Sequence, residues 1–309
     1  MRWPLLPGSP ADRAVATSLV VETLRFADGV GSFDDGGRLT GFLTGFEARS
    51  DPASAMARYS PARAALMLVH GHAVAAGVDP APLYADLYGA LAERWVDDGL
   101  IDHVVHVPLG DRSTEAEWVA LGFGRVSNVA VRDLAPTGRS PAAGVDVRLA
   151  TPDEIDAVQR LVDQEAVFHA SSPILRPYLG PSTGDAVRAE LVADLAADDH
   201  GFLVARLDGA DVGVLCVEPG LGSPLYIPDG ACYIAATAVL PQTRRAGVGA
   251  ALVDAAFEWA LAHGHLAACL HFATANRTST SFWTGIGFTP VMTHMRRRLD
   301  ERILTHRPA

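Results

Sequence analysis

Residues 237–250 read Thr-Ala-Val-Leu-Pro-Gln-Thr-Arg-Arg-Ala-Gly-Val-Gly-Ala. An apolar run, Tyr233 to Leu240, enters this stretch, and an alanine-rich helical pattern, Ala250 to His263, leaves it. Arg244-Arg245-Ala246-Gly247-Val248-Gly249 therefore falls at a strand-to-helix turn. The first four N–H groups of a helix have no intrahelical partner, and the helix dipole favours negative charge there. Glycines let a ligand approach that backbone, so the turn suits a pyrophosphate. A glycine pair before a helix is also a common tight turn, so it decides nothing alone. Leu252 stands where a dinucleotide fingerprint has its third glycine, and no P-loop lysine is present.

The second signature lies downstream: Asn276-Arg277-Thr278-Ser279-Thr280-Ser281-Phe282-Trp283-Thr284-Gly285-Ile286-Gly287-Phe288. Together, Arg-x-x-Gly-x-Gly and the series Asn, small residue, aromatic, Gly-Phe resemble the acyl-CoA site of the GNAT superfamily of N-acyltransferases. The resemblance covers residues 145–300 well and 30–130 in degenerate form. It implies acetyl-CoA as cosubstrate. The N–H groups of Arg245, Ala246, Gly247, Val248, Gly249 and Ala250 would cradle its pyrophosphate, with Arg244 or Arg245 reaching phosphate oxygens. Val239 would meet the pantetheine through its backbone. Asn276 would hydrogen-bond that arm, Ser279 and Phe282 would line it, and Trp283 would be a core or cofactor-wall residue. Asn276 equally suits a helix N-cap.

Outward from these motifs, Leu134 to Gly144 is a Pro/Gly/Ala/Ser linker, which divides the chain into residues 1–134 and 145–309. The second part opens with an alternating strand, Val145–Leu149. Thr151-Pro152-Asp153-Glu154 starts a helix to about Phe168, and a second helix is expected over 184–197. Phe202–Leu207 and Val212–Val217 form a hairpin across Asp208-Gly209-Ala210-Asp211. A further strand spans Leu266–Phe272. The order β-α-α-β-β-β-α-β predicts an α/β domain with a mixed sheet, as in GNAT acyltransferases.

The first part repeats the second at a shift of 165 residues. Leu87 meets Leu252, Gly99 meets Gly264, His106 meets His271, Trp118 meets Trp283, and Gly122-Phe123 meets Gly287-Phe288. Duplication accounts for this gap-free match. The chain thus reads as two GNAT-type domains in tandem, the N-terminal one degenerate and truncated. Asp79, Pro80, Pro82 and Tyr84 stand opposite Arg244, Arg245, Gly247 and Gly249. Proline has no N–H to offer a phosphate, and an aspartate repels one.

A chain of 309 residues, 49% hydrophobic, can hold two cored domains. No apolar run reaches the roughly 18 residues of a membrane span, and Met1-Arg2-Trp3-Pro4 begins no secretory signal, so a soluble cytoplasmic protein is expected. The net charge of −11 argues against nucleic acid and mildly for cationic partners. Cys216, Cys232 and Cys269 lie in strand-like runs without Cys-x-x-Cys spacing and read as buried residues rather than metal ligands. His70, His72, His103 and His106 lack a carboxylate or cysteine at ligand spacing, so no metal is expected.

Transfer to an amine needs a neutral nucleophile, and an alkyl ammonium of pKa ~10.4 is mostly charged at neutral pH. Relatives carry a glutamate on the strand before the loop; here that strand, Tyr233-Ile234-Ala235-Ala236-Thr237, has no acid. Glu218 and His271 are the candidate bases. Where relatives place a tyrosine to protonate the thiolate, this chain has Trp283, whose N–H is no acid. Tyr233 can substitute if its hydroxyl faces the cleft. The loops Phe168–Tyr178 and Gly220–Asp229 would wall a small or medium-sized amine acceptor. Non-catalytic acyl-CoA binding is the alternative, and the tandem layout is also similar to that of mycothiol synthase.

Overall fold

Register and burial separate the chain into two compact units that are not its sequence halves. The computed structural model describes residues 13–140, 143–175, 184–220, 223 and 225–305. Parts of the linker (141–142) and of the two expected acceptor loops (176–178; 221, 222 and 224) lie outside the described residues.

The first half comprises α1 (Arg13–Thr23), β1 (Asp28–Phe33), β2 (Leu39–Arg49), β3 (Arg63–Met67), β4 (His72–Val74), α2 (Pro80–Asp97), β5 (Asp102–Pro108), α3 (Arg112–Ala120) and β6 (Gly124–Asp133). The second comprises β7 (Val145–Leu149), α4 (Ile155–Ala170), α5 (Gly184–Leu195), β8 (Gly201–Leu207), β9 (Ala210–Pro219), β10 (Ala231–Val239), α6 (Val248–Ala262), β11 (Ala267–Ala273), α7 (Arg277–Gly285) and β12 (Thr289–Arg298). A shift of 165 residues superposes β5 on β11, α3 on α7 and β6 on β12, end to end. The repeat seen in single residues is a repeat of whole elements.

One unit consists of the residues up to Asp51, Pro61–Asn128 and Val291–Ala309; the other consists of Pro52–Ser60 and Val129–Pro290. The terminal strand of each half thus ends in the other half's unit. In the first unit the strands run β1-β2-β3-β5-β12, with β4 also on β2. β12 pairs antiparallel with β5 from Met292↔Pro108 to Arg298↔Asp102. Buried Asp102 draws it in, taking the guanidinium groups of Arg296 and, at 2.7 Å, Arg298. The core joins Leu87, Tyr88, Leu91 and Trp95 of α2 to Leu43, Met67, Val105 and Met295 of the sheet.

The four first-half histidines have structural partners. His72 Nδ1 is 3.0 Å from the Tyr84 hydroxyl, His103 Nδ1 is 2.7 Å from that of Tyr88, and His70 Nε2 is 2.8 Å from Thr23 Oγ1. His106 stacks on His294 at 4.1 Å. Burial holds His72 and His103 down to about 4, so both are neutral at pH 7.

In the second unit β7, β8, β9 and β10 form an antiparallel run, β11 joins β10 in parallel, and β6 lies beside β11. The hairpin β8–β9 turns on Asp208 (φ 52°) and Gly209 (φ 82°), two successive left-handed residues that match strand twist. Helices cover both faces. Val158 and Leu161 of α4 and Val187 and Leu191 of α5 pack on Phe202, Val204, Val214 and Cys216. On the opposite face, Leu252, Val253, Ala256 and Phe257 of α6 and Trp283 of α7 pack on Leu215, Val217, Cys232 and Ile234.

Thr151 caps a 3-10 turn over Pro152–Glu154, its N–H on the Glu154 carboxylate at 2.9 Å, and that turn leads into α4 at Ile155. The linker is pinned: Thr137 N–H and hydroxyl bond Asp254 of α6 at 2.6 and 2.8 Å, and Arg139 reaches Gly285 O at 2.8 Å. The three cysteines are buried free thiols. Among the described residues, no helix is long and apolar enough to cross a membrane, and no cluster of three His, Cys, Asp or Glu could hold a metal ion.

Candidate active site

The site begins where β10 and β11 part. Their parallel register runs from Ala231↔Ala267 to Ile234↔Leu270 and stops, although β10 continues to Val239 and β11 to Ala273. On the other edge, β10 keeps β9 to its end but slips register between Ile234 and Ala236. This bulge reverses side-chain parity: Cys232 and Ile234 face α6, whereas Ala236 and Ala238 face α4. Leu240 donates its N–H to Val212 O of β9. By strand alternation the N–H groups of Thr237 and Val239 point the other way, to the edge that β11 has left. The parting thus leaves the Val239 N–H on a vacated edge, where an extended ligand arm can pair with it.

The glycine turn follows at once. Arg245 (φ 69°) and Gly247 (φ 76°) are both left-handed, so successive N–H groups converge into a concave nest. The first N–H of α6 with a backbone partner is that of Ala251, on Gly247 O at 3.0 Å. Those of Val248, Gly249 and Ala250 lie ahead of it at the positive end of the helix dipole. Gly249 faces Phe282, whose ring stands 3.1 Å from where a Cβ would be. Val248 and Ala250 are buried, and half-buried Ala246 packs against the core.

The remaining cofactor-site residues divide by environment. Arg244 points back along the strand, its Nε on Val239 O at 3.2 Å and its guanidinium 5.0 Å from the Phe168 ring centre. Asn276 is buried and N-caps α7, its Oδ1 accepting Ser279 N–H at 3.0 Å. That leaves the amide NH2 as its donor. Trp283 is buried in the α6-side core, edge-on to Phe288 at 5.2 Å.

The candidate bases gather on the α4 face. Alternation puts Glu218 of β9, Tyr233 of β10 and His271 of β11 there together, because Glu218 and Tyr233 are register partners and Tyr233 pairs with Cys269. His271 Nδ1 lies 3.2 Å from the Tyr233 hydroxyl. Burial pushes the Glu218 carboxyl up, offset by His200.

A fourth group joins them. Glu165 of α4 has its carboxylate 3.9 Å from His169 Nδ1, one turn on, and near enough to the Thr237 backbone N–H for that dipole to favour its charged form. Desolvation raises Glu165 to about 7, with the Thr237 N–H and the Arg58 charge opposing the rise. Its side chain is still 24% exposed, so it is reachable. Sequence reading passed over Glu165, but a signal was present. It continues the buried stripe of Val158, Leu161 and Val162, where a carboxylate stands out. Arg58 and Tyr59 come from the Pro52–Ser60 segment, and no local pattern in the sequence assigns that segment to this unit.

Comparison with known proteins agrees with this geometry. Residues 167–288 match the sequence model described as "Acetyltransferase (GNAT) family". No curated protein matches the chain. A GCN5-related N-acetyltransferase from Sphaerobacter thermophilus shares the fold at TM-score 0.55 and 15% identity, over 88% of this chain and 80% of that one. A functionally unknown conserved protein from Staphylococcus epidermidis aligns at TM-score 0.51 and 14% identity, covering 88% and 95%. A tandem GNAT protein of the clavulanic acid biosynthesis pathway aligns at TM-score 0.46 and 17% identity, covering 90% and 86%. The second half of the chain thus carries a domain that matches the GNAT acetyltransferase family over residues 167–288.

Proposed function

We propose that this protein transfers acetyl from acetyl-CoA directly to a primary amine of a small or medium-sized acceptor, at one cofactor site in the second half. The observation that carries this reading is the parting of β10 and β11 immediately before the Arg245–Gly247 nest. Pantetheine pairs with the vacated edge at Val239, the pyrophosphate rests on the N–H groups of Arg245 to Ala250, and the Asn276 amide donates to the arm. A thioester carbonyl held on a strand N–H gains charge as it is attacked, and fixed donors stabilise that charge without reorganising. A CoA thiol of pKa ~8.5 leaves acceptably as thiolate, so Trp283 in place of an acid is compatible with turnover.

In the first half the corresponding helix start is closed. Asp79 caps α2 through Ala81 N–H at 3.2 Å, with Pro80 following. Tyr84 is buried against Trp118 at 5.2 Å, at the position where the second half has Gly249. One acetyl-CoA per chain is therefore expected.

Calorimetry with acetyl-CoA and thiol detection of CoA release over a panel of amines test the reading. Gly249→Leu drives a side chain into Phe282 and is expected to weaken acetyl-CoA at least tenfold. Tyr84→Phe is expected to leave binding unchanged. Wild-type protein without acetyl-CoA heat would refute the site. Binding without CoA release for any amine would favour the non-catalytic alternative, to which Trp283 points.

A further inference from the structure

Resting on that reading, we propose that Glu165 is the base that deprotonates the acceptor ammonium. We further propose that the Pro52–Ser60 segment of the first half forms part of the acceptor seat through Arg58 and Tyr59. The placement is geometric. α4 packs its Val158, Leu161 and Val162 against Ala236, Ala238 and Leu240, which puts Glu165 of the same stripe beside Thr237, two residues or about 7 Å along an extended strand from Val239, where the thioester carbonyl is expected. Its carboxylate therefore stands on the α4 face by the edge that β11 vacates, a separation that one bridging water spans to an attacking nitrogen.

The surroundings suit a cation. Tyr59 is 39% exposed and lies edge-on to His169 at 5.8 Å, the arrangement of a rim rather than a core. Tyr233, on the same α4 face of the sheet, interacts electrostatically with both Glu165 and Tyr59. Aromatic faces attract an ammonium, and a carboxylate between them gives it a counter-ion. His169 Nδ1 is buried without a hydrogen-bond partner among the described residues, so it can take up a donor that the acceptor brings.

Arg58, which is 3.9 Å from Asp163, lowers the proton affinity of Glu165. Cys216 and Glu218 on β9 share its electrostatic neighbourhood, and both are pushed toward their protonated forms. Glu165 is thus the carboxyl poised to exchange a proton near neutrality.

The step balances. R–NH3+ gives one proton to the Glu165 carboxylate. The freed nitrogen pair attacks the acetyl carbonyl carbon, the C–N bond forms and the C–S bond breaks. The second amine proton leaves with the CoA sulfur, giving amide, CoA thiol and protonated Glu165, which returns its proton to solvent.

The test uses the full chain with butylamine, spermidine, phenethylamine and glucosamine. Glu165→Gln keeps the size and the Thr237 contact. It is expected to bind acetyl-CoA within threefold of wild type and to lose at least a hundredfold in kcat/KM at pH 7. The loss should shrink toward pH 9.5, where free amine supplies itself. Tyr59→Ala is expected to raise the amine KM at least fivefold with little change in kcat, and Tyr59→Phe to restore most of it. A Glu165→Gln enzyme within fivefold of wild type with the same pH profile overturns the base. Unchanged amine KM in Tyr59→Ala overturns the seat. Wild-type protein that binds acetyl-CoA but acetylates none of the amines overturns this inference and leaves the cofactor site standing. Absence of acetyl-CoA binding refutes the reading beneath it.

Discussion

Glu165 illustrates what one residue costs a fold that places it for chemistry. Its proton affinity is raised from 4.5 to about 7, so the folded state resists its ionisation. Stability tied to it is full below about pH 4.5 and is lost as pH rises through about 7. Glu165→Gln removes this penalty. Thermal melts should show the variant gaining on wild type between pH 5 and pH 8, by up to about 3 kcal/mol at ~1.4 kcal/mol per unit. A gap that stays constant with pH would refute it. Asn276 separates two roles in the same manner. Asn276→Asp retains the oxygen that caps Ser279 N–H but loses the amide donor. It should keep its melting temperature and bind acetyl-CoA more weakly in calorimetry. Asn276→Ala should lose both, including about 1 kcal/mol of cap.

Among the elements, α6 and α7 are arranged around a buried tryptophan. Trp283 holds α7 against α6 and Phe288, and α7 begins at its N-cap Asn276. Trp283→Ala should cost about 3–5 kcal/mol, read as a lower denaturation midpoint, and weaken acetyl-CoA with it. Trp283→Phe should cost less, because most of the ring contact with Phe288 survives. Much at this scale was legible. The helical and strand periods, the Asp208-Gly209 hairpin and the glycine turn are local patterns, and the structure reproduces them. The β10 bulge was not legible, because the slip depends on what β9 and β11 do on either side.

For the whole molecule, the exchange of terminal strands decides what can exist alone. A fragment of residues 145–309 keeps the cofactor turn, yet its Val291–Ala309 segment belongs to the other unit. Its Arg296 and Arg298 lose buried Asp102, and β12 loses the β5 edge. An exposed unpaired strand edge invites association. The fragment should therefore elute as oligomer or aggregate in size-exclusion chromatography, whereas the full chain should not. A monodisperse, folded monomer would argue against the exchange. The Pro/Gly/Ala/Ser composition of the linker gives no hint of what fixes it. Only the fold brings Asp254 to Thr137, which pins the segment in place.

By itself the sequence determined the fold class and the repeat of elements, because each is written in short-range pattern: hydrophobic period, glycine spacing and a fixed shift. That Glu218, Tyr233 and His271 share a sheet face followed only from the register of β9, β10 and β11. Tertiary structure decided the rest. It set where β10 leaves β11, that Glu165 meets Thr237, that Pro52–Ser60 joins the second unit, and that β12 completes the first. These depend on contacts between residues distant in sequence, whose pairing follows from competition among buried edges and charges rather than from any local preference.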